Sequence, residues 1–271
     1  MKTFDITYKT FDPTGNRTML VTSPVERDDQ AKAAGGILDR DRSLEQVAFV
    51  EGEGGSRRLQ MMGGEFCGNA TMSFASMLAA ESGVDSLDTE VEVSGCDGKV
   101  PVHVEKDGEG WLGKVTMPLP NESKVKNFGR YKLPIVRFDG ITHTIVTERL
   151  PKPLAEMLIR EWANKIRVDA FGILLMNEDY TEMTPIVYVK STDTVVKESS
   201  CASGTAAVGA YLAMERKEPV SLTIRQPGGE LTVEADVADG KVTKLILGGH
   251  VTCVDEGQFE VEEKVFHLKH D

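Results

Sequence analysis

Gly64-Glu65-Phe66-Cys67-Gly68-Asn69-Ala70-Thr71-Met72-Ser73 and Ser199-Ser200-Cys201-Ala202-Ser203-Gly204-Thr205-Ala206-Ala207-Val208-Gly209 are two versions of one pattern, their cysteines 134 residues apart (201 − 67). In each, a cysteine is followed by small and polar residues and then by a run that reads as a helix, FASMLAA in the first and VGAYLAM in the second. A second landmark keeps the same spacing. Ser94-Gly95 lies between EVEV and KVPVHVE, and Gly228-Gly229 lies between LTIRQ and ELTVEA, with Gly229 again 134 residues after Gly95 (229 − 95). A third, Gly-Lys-Val-Thr, starts at Gly113 and again at Gly240, an offset of 127 (240 − 113), so the register slips at a loop. Three landmarks in one order point to a duplicated unit of roughly 130 residues.

Outward from these landmarks, short β-branched stretches dominate. ITYKTFD, VAFVEG, VPVHVE, PIVRFDG, THTIVT, PIVYVK, SLTIR and LTVEA alternate or run apolar between turns such as DPTGN, PGG and ADG, the pattern of strands. Helices are expected at about 25–38, 68–82, 152–165 and 202–215. The fold class is α+β, with two pseudo-symmetric domains, each an antiparallel sheet or barrel wrapped round a central helix. The boundary is expected in NESKVKNFGR, which gives domains of residues 1–127 and 128–271.

The 271 residues carry 31 Lys and Arg against 43 Asp and Glu, a formal charge of −12. That balance argues against nucleic acid and anionic membrane as partners, since both reward clustered basic side chains. No apolar run approaches the roughly 18–20 residues of a spanning helix, and MKTFDITYKTFDPTGN lacks the apolar core of a leader. A cytoplasmic protein of enzyme size is expected. Cys67, Cys96, Cys201 and Cys253 are too few for a disulfide scaffold at this length and form no Cys-x-x-C. His103, His143, His250, His267 and His270 show no ligand spacing, so no metal site is expected. Cys96 and Cys253 read as small buried hydrophobes, Cys96 with a place near the cleft as the alternative.

Each matched cysteine stands at the start of a helix. The first N–H groups of a helix are unpaired and carry partial positive charge, which stabilises a thiolate and binds a carboxylate. If the pseudo-symmetry brings both helix starts to one cleft, a thiol stands on each side of a bound molecule. Racemisation needs that arrangement: a base on one face of a carbon and an acid on the other. Helix N-termini would hold the substrate carboxylate as charge develops, and closure would exclude water.

These segments resemble the diaminopimelate epimerase superfamily of cofactor-independent racemases and epimerases. The residues that carry the resemblance are Gly15-Asn16 in FDPTGN, Gln46 in EQVAFVE, Cys67-Gly68-Asn69-Ala70, Cys201-Ala202-Ser203-Gly204-Thr205-Ala206 and Pro227-Gly228-Gly229. The resemblance implies that Cys67 and Cys201 are catalytic and that Asn16 and Asn69 contact the amino-acid head of the substrate. It implies that Gly68, Gly204 and Thr205 are donors near the substrate carboxylate, with Ser203 among the substrate-binding residues. Glu198 matches a glutamate that binds the substrate amino group and tunes the base; the other reading is an exposed carboxylate at a strand end. His143 lies where the family has a histidine close to the catalytic pair; the other reading is a half-buried strand residue. Gln46 is either a substrate contact or a solvated turn residue. The family further implies no pyridoxal or other cofactor, a small amino acid as ligand, frequent homodimers, and a last segment, 260–271, that returns to the N-terminal domain.

Departures narrow the substrate. Where diaminopimelate epimerase has an arginine after the glutamate, Ser199 follows Glu198. Arginine is the normal fork for a second carboxylate, so its absence argues against diaminopimelate. Gly-Asn-Pro-His becomes Gly140-Ile141-Thr142-His143, which removes an asparagine contact. GGEFCGNATMSF, VSGC, the short Glu-x-Ser-Cys and IRQPGG are similar to the histidine racemases of the superfamily, including those that supply D-histidine for bacterial metallophores. Interconversion of L- and D-histidine is therefore the favoured reading. The competing readings are diaminopimelate or another polar amino acid as substrate, an isomerase of the phenazine-biosynthesis type, a proline racemase, and a non-catalytic amino-acid-binding protein. Both cysteines being present counts against the phenazine type.

Overall fold

The computed structural model describes residues 2–264, which form sixteen strands and four α-helices in two compact units. One unit holds the residues up to Val115 together with those from Gly249 onward; the other holds Thr116–Gly248. The sequence placed the break at 127/128, which falls inside a strand.

In chain order the first unit contains β1 (Thr3–Pro13), β2 (Thr18–Val21), α1 (Arg27–Arg40), β3 (Gln46–Glu51), β4 (Arg58–Met61), α2 (Gly68–Ser82), β5 (Ser86–Val93), β6 (Lys99–Asp107) and β7 (Gly110–Thr116). The second contains β8 (Glu122–Phe128), β9 (Tyr131–Arg137), β10 (Thr142–Val146), α3 (Lys152–Ile166), β11 (Ala170–Met176), β12 (Met183–Val189), β13 (Thr194–Lys197), α4 (Ala202–Arg216), β14 (Val220–Gln226) and β15 (Gly229–Ala238). The last strand, β16 (Lys241–Glu262), begins in the second unit and ends in the first. Its far part pairs antiparallel with β1 from Pro13↔Val251 to Thr3↔Glu262. The return to the first unit thus starts at Gly249, ahead of residue 260. Residues 265–271 of the expected returning segment lie outside the described residues.

The sheets are mixed, which corrects the antiparallel expectation. β2 pairs parallel with β3, β4 with β5, and β10 with β11. Parallel neighbours need a long crossover, usually a helix, and α1, α2 and α3 occupy those three crossovers. In the first unit the strands run β1-β2-β3-β4-β5-β6-β7-β16, and the β1–β16 pairing closes the ring. In the second, a six-stranded sheet runs β13-β12-β11-β10-β9-β8, with β14 and β15 beside β16.

Two kinds of helix follow from two sequence patterns. In α3, Ala155, Ile159, Trp162, Ala163 and Ile166 recur at helical spacing and form one buried face. That face packs on Phe128, Tyr131, Ile135, Phe171 and Tyr188, with the Trp162 ring stacked on Phe128 at 4.6 Å. α1 likewise buries Ala33, Ala34 and Ile37 against Ile6, Met19, Val47 and Phe49. By contrast α2 is buried at every residue from Gly68 to Met77, and α4 at every residue from Gly204 to Ala210. A helix apolar or small all round must have partners all round. Accordingly α2 packs against β1, β2, β5 and β6, and α4 against β9, β10, β14 and β15.

The segment expected to hold the domain boundary, 121–130, contains β8, exposed along most of its length at the edge of its sheet. Such a strand has no buried face to print an alternating apolar pattern. β4, RLQM, is only four residues long, so its alternating Leu59 and Met61, both buried, make too brief a pattern to read.

Candidate active site

Both landmark cysteines adopt one local geometry. Cys67 is the N-cap of α2 (φ −132°, ψ 112°) and Cys201 the N-cap of α4 (φ −124°, ψ 105°). The Cys67 sulfur accepts the Ala70 N–H at 3.4 Å, and the Cys201 sulfur accepts the Gly204 N–H at 3.3 Å. Sulfur takes the place of the usual capping oxygen and satisfies one of the orphan N–H groups of the first turn. Thr71 and Thr205 donate their hydroxyls back to the cysteine carbonyls four residues earlier, at 2.7 and 2.8 Å.

The first unit gathers Asn16, Gln46, Cys67, Gly68 and Asn69. The Cys67 thiol donates to Gln46 Oε1 at 3.0 Å, from the first residue of β3. Gln46 is therefore a partner of the sulfur, not a solvated turn residue. Asn16, in the turn between β1 and β2, is buried and donates through Nδ2 to Glu45 Oε2 at 2.5 Å. Its Oδ1 has no hydrogen-bond partner among the described residues. Gly68 and Asn69 are the first two residues of α2, both buried.

The second unit gathers His143, Glu198, Cys201, Ser203, Gly204 and Thr205. His143, on β10, is fully buried, deeper than the half-buried alternative. Its Nε2 lies 2.8 Å from Ser203 Oγ, and Ser203 Oγ lies 3.6 Å from the Cys201 sulfur. Burial pushes the His143 ring down to about 3, so the imidazole is neutral at physiological pH. The ring fits because its neighbour on β11 is Gly172: a Cβ there would stand 2.1 Å from His143 Nδ1. Glu198 is half-buried and hydrogen-bonds to the Cys201 thiol, which excludes a merely solvated carboxylate.

At Cys201 the expectation of a lowered thiol pKa fails. Burial, then the charge of Glu198 and its hydrogen bond, push the thiol well above its ordinary range; Ser203 and the Gly204 N–H pull the other way and lose. Helix-terminal N–H groups are outweighed where a carboxylate accepts from the neutral thiol. The two remaining cysteines are not the buried hydrophobes expected. Cys96 is half-buried, and Cys253, on β16, is exposed.

Two residues escaped the sequence reading. Glu45 holds Asn16 and is adjacent to Gln46 in EQVAFVE. Gln226, inside the IRQPGG motif, accepts the Cys201 N–H at 2.8 Å. The second landmark also has a structural basis. Gly95 (φ +69°) packs so closely on the loop before Cys67 that a Cβ would lie 2.2 Å from the Phe66 nitrogen. The Gly228 N–H donates to the Ser199 carbonyl at 2.8 Å. Each turn braces the loop that leads into a cysteine.

The fold is similar to that of a hydroxyproline epimerase from Agrobacterium vitis, with bound trans-4-hydroxy-L-proline, which superposes with a TM-score of 0.67 over 95% of this chain and 92% of that chain, at 12% identity. Residues 5–259 match the family described as the histidine racemase CntK N-terminal domain. A histidine racemase of Fusobacterium nucleatum subsp. nucleatum is 33% identical over 260 residues, covering 91% of this chain and 94% of that one. Another, of Staphylococcus aureus, is 27% identical over 270 residues, covering 95% and 98%. The chain belongs to the histidine racemase family and is an isomerase.

Proposed function

We propose that this protein interconverts L- and D-histidine without a cofactor, with Cys67 and Cys201 as acid–base groups on opposite faces of the substrate α-carbon. The observation that carries the reading is the family match over residues 5–259, joined to the identical N-cap geometry of the two cysteines. One thiolate takes the α-proton as the opposite thiol delivers its own proton to the carbanion. Each turnover leaves the proton distribution exchanged between the sulfurs, and the reverse reaction swaps their roles.

The surrounding residues have separable tasks. The first turns of α2 and α4, including Gly68 and Gly204, offer donors to the substrate carboxylate, where charge builds as the proton leaves. Thr205, expected among these donors, instead gives both its N–H and its hydroxyl proton to the Cys201 carbonyl. Asn16, Asn69 and Gln46 orient the amino-acid head. Glu198 binds the α-ammonium. The ammonium offsets the carboxylate charge that raises the Cys201 thiol, so substrate binding itself brings that sulfur towards use as a base. Ser203 directs its hydroxyl at the Cys201 sulfur, and neutral His143 orients Ser203.

We further read the two units as copies of one ancestor. From β1, successive pairings run antiparallel, parallel, antiparallel, parallel, antiparallel to β6. From β9 the same succession passes through β10, β11 and β12 to a parallel bridge, Glu182↔Arg225, into β14 and on to β15.

The test is a chirality assay on each histidine enantiomer, with meso-diaminopimelate and other polar amino acids alongside. Histidine is expected to racemise with no added cofactor. Cys67→Ser and Cys201→Ser are each expected to lose racemisation, because serine is a far weaker acid and base at neutral pH. Full two-way activity in either variant would remove that cysteine from the mechanism.

A further inference from the structure

Gln226 ends β14 and is almost fully buried, 5% exposed. Nothing in the chemistry above uses it, yet both ends of its amide are committed to the first turn of α4. Oε1 accepts the Cys201 N–H at 2.8 Å, and Nε2 donates to Thr205 Oγ1 at 2.9 Å. The Thr205 hydroxyl spends its one proton on the Cys201 carbonyl, at 2.8 Å. Thr205 Oγ1 can therefore only accept from Gln226, which fixes which end of the amide meets which partner. The hydrogen bonds close a ring through both peptide units of Cys201. Beyond the strand end, the Gly228 N–H holds the Ser199 carbonyl, so the same hairpin grips the chain leading into the cysteine.

The N-cap backbone decides where the sulfur points. One torsion separates Sγ from the main chain, and the sulfur meets the Gly204 N–H only while Cys201 stays extended. The Ser94-Gly95 turn acts one step further from its cysteine: Ser94 Oγ donates to the Glu65 carbonyl at 2.8 Å and accepts the Met61 N–H at 2.9 Å. The amide ring is a device at the second cysteine.

We infer that Gln226 is a positioning residue for Cys201, holding its sulfur at the place and angle from which it exchanges a proton with substrate. The inference rests on the two-thiol reading. Gln226→Met keeps length and burial but removes both hydrogen-bonding ends. Gln226→Glu keeps an acceptor and, once protonated, regains a donor. In the full chain, Gln226→Met is expected to lower kcat about 10- to 100-fold, with KM changed less than about threefold. Alkylation of Cys201 by iodoacetamide, followed by mass spectrometry, should change rate at fixed pH while Cys67 keeps the wild-type rate. The activity of Gln226→Glu relative to wild type should recover as pH falls and its carboxyl gains a proton. Wild-type kinetics with unchanged Cys201 alkylation in Gln226→Met overturns the inference. So does a lowered melting temperature with both cysteines affected alike, and so does a Gln226→Glu profile parallel to wild type. Alkylation needs no substrate, so it reads the positioning role even if the wild-type protein leaves histidine unchanged, an outcome that sinks the functional reading alone.

Discussion

At the scale of the residue, the chemistry turns on how each sulfur is held. The Cys201 thiol has its pKa raised by burial and by Glu198, so it is a neutral thiol through physiological pH and becomes thiolate only above the ordinary thiol range. Alkylation requires the thiolate, and the Cys201 rate should therefore keep climbing above pH 9. Glu198→Gln removes the charge but leaves the burial. Its Cys201 profile is expected to move to lower pH while racemisation falls through loss of the ammonium partner. A profile that stays in place, read by mass spectrometry across pH, contradicts the assigned cause. The cysteines were legible because a sulfur before small residues and a helix, repeated 134 residues later (201 − 67), is a rare spacing. Glu45 and Gln226 were not, because a side chain that serves one backbone or amide partner across the fold leaves no local periodicity. The Cys201 pKa was misread for a related reason: helix-terminal charge is visible in a sequence, whereas burial and a facing carboxylate belong to the tertiary structure.

At the scale of the element, glycines show which approaches matter. Gly172→Ala would place a Cβ 2.1 Å from His143 Nδ1, between neighbouring strands β10 and β11. It is expected to cost about 1–3 kcal/mol and to slow the reaction by moving His143 off Ser203. Gly95→Ala adds a left-handed backbone penalty to a clash with the Phe66 nitrogen, so it should destabilise more and disturb Cys67. Gly240→Ala is the control, since its φ is +72° but nothing lies within 4 Å; a cost of about 1 kcal/mol with unaltered activity is expected. Denaturant unfolding and steady-state rates on the three variants measure this order, and a Gly240→Ala effect as large as the other two would refute it. The four helices fell within two residues of their expected bounds, since helix patterning and small-residue runs are local. Strand direction is not local. β2 and β3 look alike whether parallel or antiparallel, and only the helix between them discloses the crossover. The solvent-facing edge strand β8 had no apolar side to reveal it.

At the scale of the whole molecule, one chain carries two buried helices that each begin on a sulfur. None of the helices among the described residues is long and apolar enough to cross a membrane. The charge of −12 suits a small zwitterionic substrate better than a polyanionic partner. The purified protein is expected to show no Schiff-base absorbance and to need no pyridoxal cofactor; activity that appears only on adding one contradicts the thiol mechanism. The most direct measurement is incubation of L-histidine in deuterated water, following chirality and α-hydrogen content together over the first turnovers. If two single-proton thiols work on opposite faces, newly formed D-histidine carries deuterium while the remaining L-histidine still carries protium. Deuterium entering both enantiomers equally from the outset, or D-histidine that keeps the original hydrogen, contradicts the account.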